Sequence, residues 1–435
     1  MSPELIGLIA FFGLLALILM GLPVGFGMIL GGAAVFWAIG DWGPMLGMAG
    51  MIPFDKVTTY TFTCVPLFVF MGNLAFRAGL AKDMYHSARL WTAKLPGGLA
   101  QATCVANAFF GALSGSTIAA TATFCKLAVP EMDKLGYNRR LSVGCVTAAG
   151  TFASIIPPSI NVVLYGMITE QSIGKMLIAG ILPGIVIAGC YMVLIWIRVK
   201  WNPRLAGVPL TGVTLKDAIR GSKLLWPVVL TFIVMLGGIY TGLFTPTEGG
   251  AIGAFVVFFL AVITKRFSWR LLWDCLFDTA MTMATLYIIV VGAFMFGAGM
   301  AISRLPSTVA GWVTELPYSP MVILMVILTV YIILGCIMDT TAMLFLTMPV
   351  IFPATVKLGF HPIWFGILII HVFEIGMVSP PYGISLFTAK ASLPDVPFSD
   401  IMIGVLPFLL ADLVSMVILI VFPDIVTFLP DLLMG

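Results

Sequence analysis

Long apolar runs follow one another along the whole chain, separated by polar or Gly/Pro punctuation. They occupy 4–21, 23–40, 57–76, 99–128, 141–168, 176–199, 224–242, 247–264, 275–302, 320–352, 361–390 and 401–429. As a helix, about 20 apolar residues cross the hydrocarbon of a bilayer. The pattern predicts an all-α polytopic membrane protein, with the lipid bilayer as its solvent.

Composition narrows the class. The 435 residues are 60% apolar and only 9% charged, whereas soluble chains run near a quarter charged. Twenty-two Lys+Arg against 19 Asp+Glu leave a net charge of +3, too sparse for a face that binds nucleic acid. The seven cysteines (64, 104, 125, 145, 190, 275, 336) form no Cys-x-x-Cys pair, which argues against a disulfide framework or structural metal. Three histidines (His86, His361, His371) are too few for a haem or His-rich metal site. The Met1-Ser2-Pro3-Glu4 start lacks a basic n-region, so the first helix is expected to be retained.

Landmarks recur once along the chain. Phe76-Arg-Ala-Gly-Leu-Ala81 matches Phe296-Gly-Ala-Gly-Met-Ala301, and Lys134-Leu-Gly-Tyr137 matches Lys357-Leu-Gly-Phe360. Pro157-Pro158 matches Pro380-Pro381, Gly180-Ile-Leu-Pro183 matches Gly404-Val-Leu-Pro407, and Pro23 matches Pro246. The order is kept and the spacings run from 220 to 224 residues. This is an internal repeat of two halves, about 1–210 and 212–435.

Positive charge decides how the halves lie. After its third run the first half carries Arg77, Lys82, Arg89 and Lys94, where the second carries Arg304 and Glu315. The first half ends in Arg198, Lys200, Arg204, Lys216, Arg220 and Lys223, the second in Asp424 and Asp431. Equivalent ends with opposite bias point to inverted-topology repeats. Loops 77–98, 126–140, 198–223 and 265–274 are placed in the cytoplasm, both termini and loop 241–247 outside. Each half then needs an odd number of crossings, which holds if 99–140 and 319–360 dip in and return as helical hairpins. Gly111-Ala-Leu-Ser-Gly-Ser-Thr117 and Gly335-Cys-Ile-Met-Asp-Thr-Thr341 supply the breaks. The stretch 77–95, with bases interleaved among apolar residues, suits an interfacial arm helix.

A broken span is expected after each hairpin, at Gly150-Thr-Phe-Ala-Ser-Ile-Ile-Pro-Pro-Ser-Ile-Asn161 and Gly376-Met-Val-Ser-Pro-Pro-Tyr-Gly-Ile-Ser385. Pro-Pro cannot sit inside a continuous helix. The carbonyls freed there need partners in a low-dielectric medium, and a cation is one. The half-helix that restarts, with Ser159 and Asn161 or Ser385 near its start, presents free N–H groups that suit an anion. Two tips beside two breaks make a polar chamber in mid-membrane.

Single residues carry alternatives. Asp339, at the second tip, is a cation ligand or a capping carboxylate; an ionised group at that depth costs roughly 2.5–3.5 kcal/mol. Glu374 precedes the second break and binds a ligand or pairs with a neighbouring helix. Asn107 and Asn161 contact substrate or join helices. Asp412 is expected to hydrogen-bond between helices, Glu248 to cap one, and Lys126, Arg139 and Arg140 to snorkel at the inner interface. No Gly-x-x-x-x-Gly-Lys-Ser/Thr, Gly-x-Ser-x-Gly or His-Glu-x-x-His occurs, so neither direct ATP drive nor an enzyme is expected.

Phe76-Arg-Ala-Gly-Leu, Phe110-Gly-Ala-Leu-Ser-Gly-Ser, Ile155-Ile-Pro-Pro-Ser and Val378-Ser-Pro-Pro-Tyr-Gly resemble the large membrane subunit of TRAP transporters, the tripartite ATP-independent periplasmic family. The resemblance covers essentially the full chain. It implies an elevator-type secondary transporter of the bacterial inner membrane, working with a small four-helix membrane subunit and a periplasmic substrate-binding protein. Na+ is the implied coupling ion and a carboxylate-bearing solute (a C4-dicarboxylate, a sialic acid or another organic acid) the implied cargo. The chain opens on the first helix of the first half, so the small subunit is expected on a separate polypeptide. A partner-independent sodium or proton symporter for dicarboxylates is the alternative reading, and a purely structural or channel-like assembly is a third.

The resemblance places two sodium clamps on matching segments. One comprises Ser114, Gly115 and Thr117 with Gly150, Ala153 and Pro157; the other comprises Gly335, Asp339 and Thr340 with Gly376, Ser379 and Pro380. Ser116, Ser154, Asn161, Thr341 and Ser385 are the expected substrate contacts. Residues 1–98 form the scaffold and arm of the first repeat. Residues 99–200 are its transport-domain part (hairpin 99–140, broken helix 141–170, helix 176–199), and 201–223 a cytoplasmic linker. Residues 224–318 are the second scaffold and arm. Residues 319–429 complete the transport domain (hairpin 319–360, broken helix 361–390, helix 401–429).

Overall fold

The structure is a computed structural model that describes residues 1–39, 42–209 and 212–434; residues 40, 41, 210, 211 and 435 lie outside it. The end of the expected run 23–40 and the middle of the linker 201–223 therefore fall partly outside the described residues. The protein is 82% helix, with no strand among the described residues. Among the described residues, six helices have the length and hydropathy to cross a membrane: Ile173–Trp201, Leu215–Tyr240, Pro246–Ile263, Trp269–Ile302, Thr340–Lys357 and Phe398–Val421. Shorter apolar helices run over Pro3–Leu19, Val24–Ile39, Pro320–Gly335 and Pro362–Val378. Large apolar side chains such as Ile233, Phe255 and Leu410 are more than 60% exposed on these helices, as expected where lipid replaces water.

Helix starts recur in matched order. Pro3 and Trp226, Val24 and Pro246, Leu80 and Leu305, Gly98 and Pro320, Thr117 and Thr340, Arg139 and Pro362, and Ile160 and Ile384 are each 222 to 225 residues apart. The halves differ at one place. Trp269–Ile302 is a single 34-residue helix, but its first-half counterpart is split into Trp42–Thr58 and Cys64–Arg77. The two pieces meet at a 53° bend. Pro66 has no N–H to give Phe62 and its ring crowds that carbonyl, so Tyr60–Thr63 tightens into a 3-10 turn. The expected runs 57–76 and 275–302 thus began too late. Segment 42–56 holds Gly, Pro, Asp55 and Lys56 and lacks apolar continuity, yet it is helical. The expected helix 401–429 also divides, into Phe398–Val421 and Asp424–Met434, at Pro423. The linker region contains a short helix, Leu215–Ser222, opened by a Thr214/Asp217 capping box.

Four elements position the site. The first hairpin is Gly98–Ser114 and Thr117–Lys134, and the second is Pro320–Gly335 and Thr340–Lys357. Gly115 closes the first limb at φ +58°, a left-handed conformation that favours glycine. The first broken span is Arg139–Ala149 with the 3-10 turn Gly150–Ser154, restarting at Ile160–Ile168. The second is Pro362–Val378, restarting at Ile384–Ser392. Both Pro-Pro bonds, 157–158 and 380–381, are cis.

Each hairpin meets its broken span by backbone contact. A Cβ on Gly111 would lie 2.7 Å from the Ala153 Cα, and one on Gly335 would lie 2.9 Å from the Gly376 Cα. Ion pairs join the two halves. Arg77 reaches Asp274 and Asp278, Arg266 reaches Asp83, and Arg140 reaches Asp400. Arg140, expected to snorkel, is thus paired across the two halves. Tyr191 donates to Asp412 at 2.8 Å between helices, and Glu248 completes a capping box with Thr245.

Candidate functional site

The two hairpin tips begin their second limbs alike. Ser116 caps one, its hydroxyl accepting from the Ala119 N–H at 3.3 Å. Asp339 caps the other, accepting from the Ala342 N–H at 3.2 Å. Asp339 is therefore a capping carboxylate, and it also faces the cavity described below. The next residue in each limb is a threonine, Thr117 or Thr340, and both meet the same group. Thr117 Oγ1 donates to Glu374 Oε2 at 2.7 Å, and Thr340 Oγ1 donates to Glu374 Oε1 at 2.8 Å.

These bonds belong to a closed ring. Thr117 has one proton and spends it on Glu374, so Ser154 Oγ, 2.8 Å away, must donate to Thr117. Asn161 Nδ2 donates to Ser154 Oγ at 3.0 Å, and Thr341 Oγ1 donates to Asn161 Oδ1 at 3.2 Å. Thr341 adjoins Thr340, which returns to Glu374. All four elements contribute: two tips, the first broken span through Ser154 and Asn161, and the second through Glu374. Ser159 anchors the turn by donating to the Ser154 carbonyl at 2.6 Å.

A cavity of about 230 Å³ opens beside the ring. Ser114, Gly115, Ser116, Thr117, Asn161, Asp339, Thr340 and Thr341 line it with Glu374, and Val69, Asn73, Phe76, Thr282 and Leu286 form the facing wall. Its charged lining residues are two carboxylates, Asp339 and Glu374, with no Lys, Arg or His. Glu374 is 1% exposed and makes no ion pair among the described residues. Uncompensated burial of that charge is costly, so the chamber suits a bound cation. Three helix N-termini, at Thr117, Ile160 and Thr340, open near it and suit an anion.

The remaining expected residues are distributed as follows. Gly150 lies against Thr121 and the Thr117 carbonyl, Ala153 against Gly111, and Gly335 against Gly376. Ser379 donates to the Ile375 carbonyl at 2.7 Å in its own helix. Pro157 and Pro380 sit in the breaks. Ser385 is buried with no hydrogen-bond partner among the described residues and is not among the cavity's lining residues. Asn107 donates to the Thr103 carbonyl within its own helix and is not among the cavity's lining residues. The facing wall of Asn73 and Thr282 was not expected. The visible signal was a polar residue in each of two apolar helices.

The chain is an all-helical membrane fold whose hairpins and broken spans converge on a charged cavity, and the proteins it is related to are transporters. Residues 11–425 match the family described as "Tripartite ATP-independent periplasmic transporter, DctM component", and the chain belongs to that family. It is 34% identical over 384 residues to the C4-dicarboxylate TRAP transporter large permease protein DctM of Pseudomonas aeruginosa, covering 87% of this chain and 88% of that one. It is 28% identical to the sialic acid large permease SiaM of Vibrio cholerae, over 98% of each chain. The 2,3-diketo-L-gulonate large permease YiaN of Escherichia coli is 30% identical over 95% of this chain and 96% of its own. The crystal structure of the Alcanivorax borkumensis YdaH transporter shares the fold at TM-score 0.63 and 17% identity, over 98% of both chains. Large permeases of this family work with a substrate-binding protein and usually a small membrane subunit. The isethionate permease DctMQ of Oleidesulfovibrio alaskensis is 32% identical over 87% of this chain, which spans 59% of that protein.

Proposed function

We propose that the chain carries out sodium-coupled uptake of a carboxylate-bearing solute handed over by a periplasmic binding protein. The observation that carries this reading is the cavity's charge: two carboxylates, no base, and three helix N-termini. An organic anion entering alone meets Asp339 and Glu374 and is repelled. Cations seated first reverse that balance, so acid and cation each favour the other's binding, which is the thermodynamic basis of coupling. One sodium is assigned to the first tip, Ser114 to Thr117, with Gly150 to Pro157. The other is assigned to Gly335 to Thr341 with Gly376 to Pro381. Carbonyls freed at the breaks supply oxygen ligands there, and the acid's carboxylate takes the N-termini and the hydroxyls of Ser116 and Thr341. The printed substrates of the relatives, C4-dicarboxylate, sialic acid, diketogulonate and isethionate, share an acidic group and little else.

The hairpins and broken spans (99–200 and 319–429) form the moving transport domain, and 1–98 with 224–318 the scaffold, with 201–223 between them. The hydrogen-bond ring joins only hairpins and broken spans, which supports their moving as one body in an elevator motion. Both termini face the periplasm, and a small four-helix membrane subunit works beside these helices. The test is uptake of labelled succinate and sialic acid into proteoliposomes that hold both membrane subunits, with the binding protein outside. An inward sodium gradient is expected to drive accumulation that stops when the binding protein is left out. Accumulation indifferent to the gradient overturns sodium coupling, and undiminished uptake without the binding protein overturns the tripartite reading.

A further inference from the structure

A second, larger cavity of about 540 Å³ lies between the end of helix Trp269–Ile302 with helix Leu305–Glu315 and the second hairpin limb Thr340–Lys357. Its walls are apolar, with Phe294, Gly297 and Ala301 on one side and Phe345, Pro349 and Pro353 on the other. Two cations, Arg304 and Lys357, stand on its lining. Both are exposed, and neither makes an ion pair among the described residues. Arg304 and the half-buried Glu4 attract one another through space without forming an ion pair. A third cation, Lys56, sits 4.7 Å from the Phe294 ring centre, though Asp55 neutralises it at 2.9 Å. By the charge pattern these ends lie opposite the basic loops, on the side where Lys and Arg are normally depleted. Trp312, on the adjoining helix, is 64% exposed, as befits an anchor at the membrane–water boundary.

We propose that this cleft is a binding site for an anionic phospholipid, with an acyl chain between the Phe294 and Phe345 walls and the phosphate at Arg304 and Lys357. Charge complementarity selects the head, and the apolar lining selects a ligand with a tail. A small polar acid leaves those walls unmatched, since it has no apolar surface to bury. The walls come from the proposed scaffold on one side and the proposed moving body on the other, so a seated lipid touches both. The assignment stands on the cleft's own chemistry and is tested without transport.

The experiment is native mass spectrometry of the purified chain after incubation with equal phosphatidylglycerol and phosphatidylcholine. Wild type is expected to retain phosphatidylglycerol preferentially. Arg304→Gln with Lys357→Gln should lower that retention about fivefold per charge removed. Gly297→Leu fills the cleft and keeps both cations, because a Cβ there meets nothing within 4 Å; it should also lose the lipid. Equal retention of the two lipids, or wild-type retention in the charge variant, overturns the proposal. Retention lost in the charge variant but unchanged in Gly297→Leu means attraction to surface charge without a seated lipid, and overturns it too. Displacement by millimolar succinate would reassign the cleft to the transported acid, and absence of retained lipid with capture of an acidic binding protein would reassign it to that partner.

Discussion

Replacing Glu374 opens the ring at the one residue that both hairpins share. Glu374 accepts from Thr117 at 2.7 Å and from Thr340 at 2.8 Å. Hydrogen bonds to a charged acceptor contribute roughly 1.5–3 kcal/mol each, and neutral ones about 1. Glu374→Gln keeps the shape and drops the charge. It should weaken the joint between the tips by about 2 kcal/mol, which is about 30-fold in the population with both tips engaged. Glu374→Asp keeps the charge but retracts the carboxylate by about 1.5 Å. At least one of the two contacts then passes beyond hydrogen-bonding range, with a loss of similar size. The assay is initial uptake under an inward sodium gradient, with melting temperature in detergent as the control for folding. Both variants should fold and transport at least tenfold more slowly. Uptake by Glu374→Gln within twofold of wild type, at unchanged melting temperature, would refute the claim that the charge holds the tips together.

Four further expectations follow. Gly376→Ala places a Cβ 2.5 Å from the Gly335 Cα and 2.8 Å from the Ile332 carbonyl, so thermal melting should show a loss of about 1–3 kcal/mol. Gly237→Ala, where a Cβ meets nothing within 4 Å, should not lose stability. Arg140 and Asp400 pair at 2.7 Å but stand 53% and 23% exposed, so a double-mutant cycle should give a coupling below about 1 kcal/mol. In single-cysteine chains, Lys216→Cys and Asp431→Cys should be labelled from opposite faces of the membrane; labelling from one face would contradict inverted halves.

The breaks and tips were legible because their causes are local. Pro157-Pro158 and Pro380-Pro381 forbid a continuous helix wherever they stand, Gly115 stops the first limb of one hairpin, and Asp339 starts the second limb of the other. The partners of Glu374 were not legible. Its partners are 257 and 34 residues away in sequence, and alone it is one carboxylate in an apolar helix. Ser385 lies apart from the ring. Its place after a break matches Asn161, but a side chain's direction depends on helix rotation, and this one turns into the core. Helix Trp42–Thr58 was missed because its Gly, Pro and charged residues break the apolar run without ending the helix.

Thiol labelling at the cavity bears on whether cations and an acid share it. Ile118 lines the cavity, is 45% exposed and takes no part in the ring. With the seven native cysteines replaced, Ile118→Cys should react with a small water-soluble maleimide in choline medium. The rate should fall when sodium and the transported acid are present together, and fall less with either alone. Equal rates in choline, in sodium, and in sodium plus succinate or sialic acid would contradict a shared site.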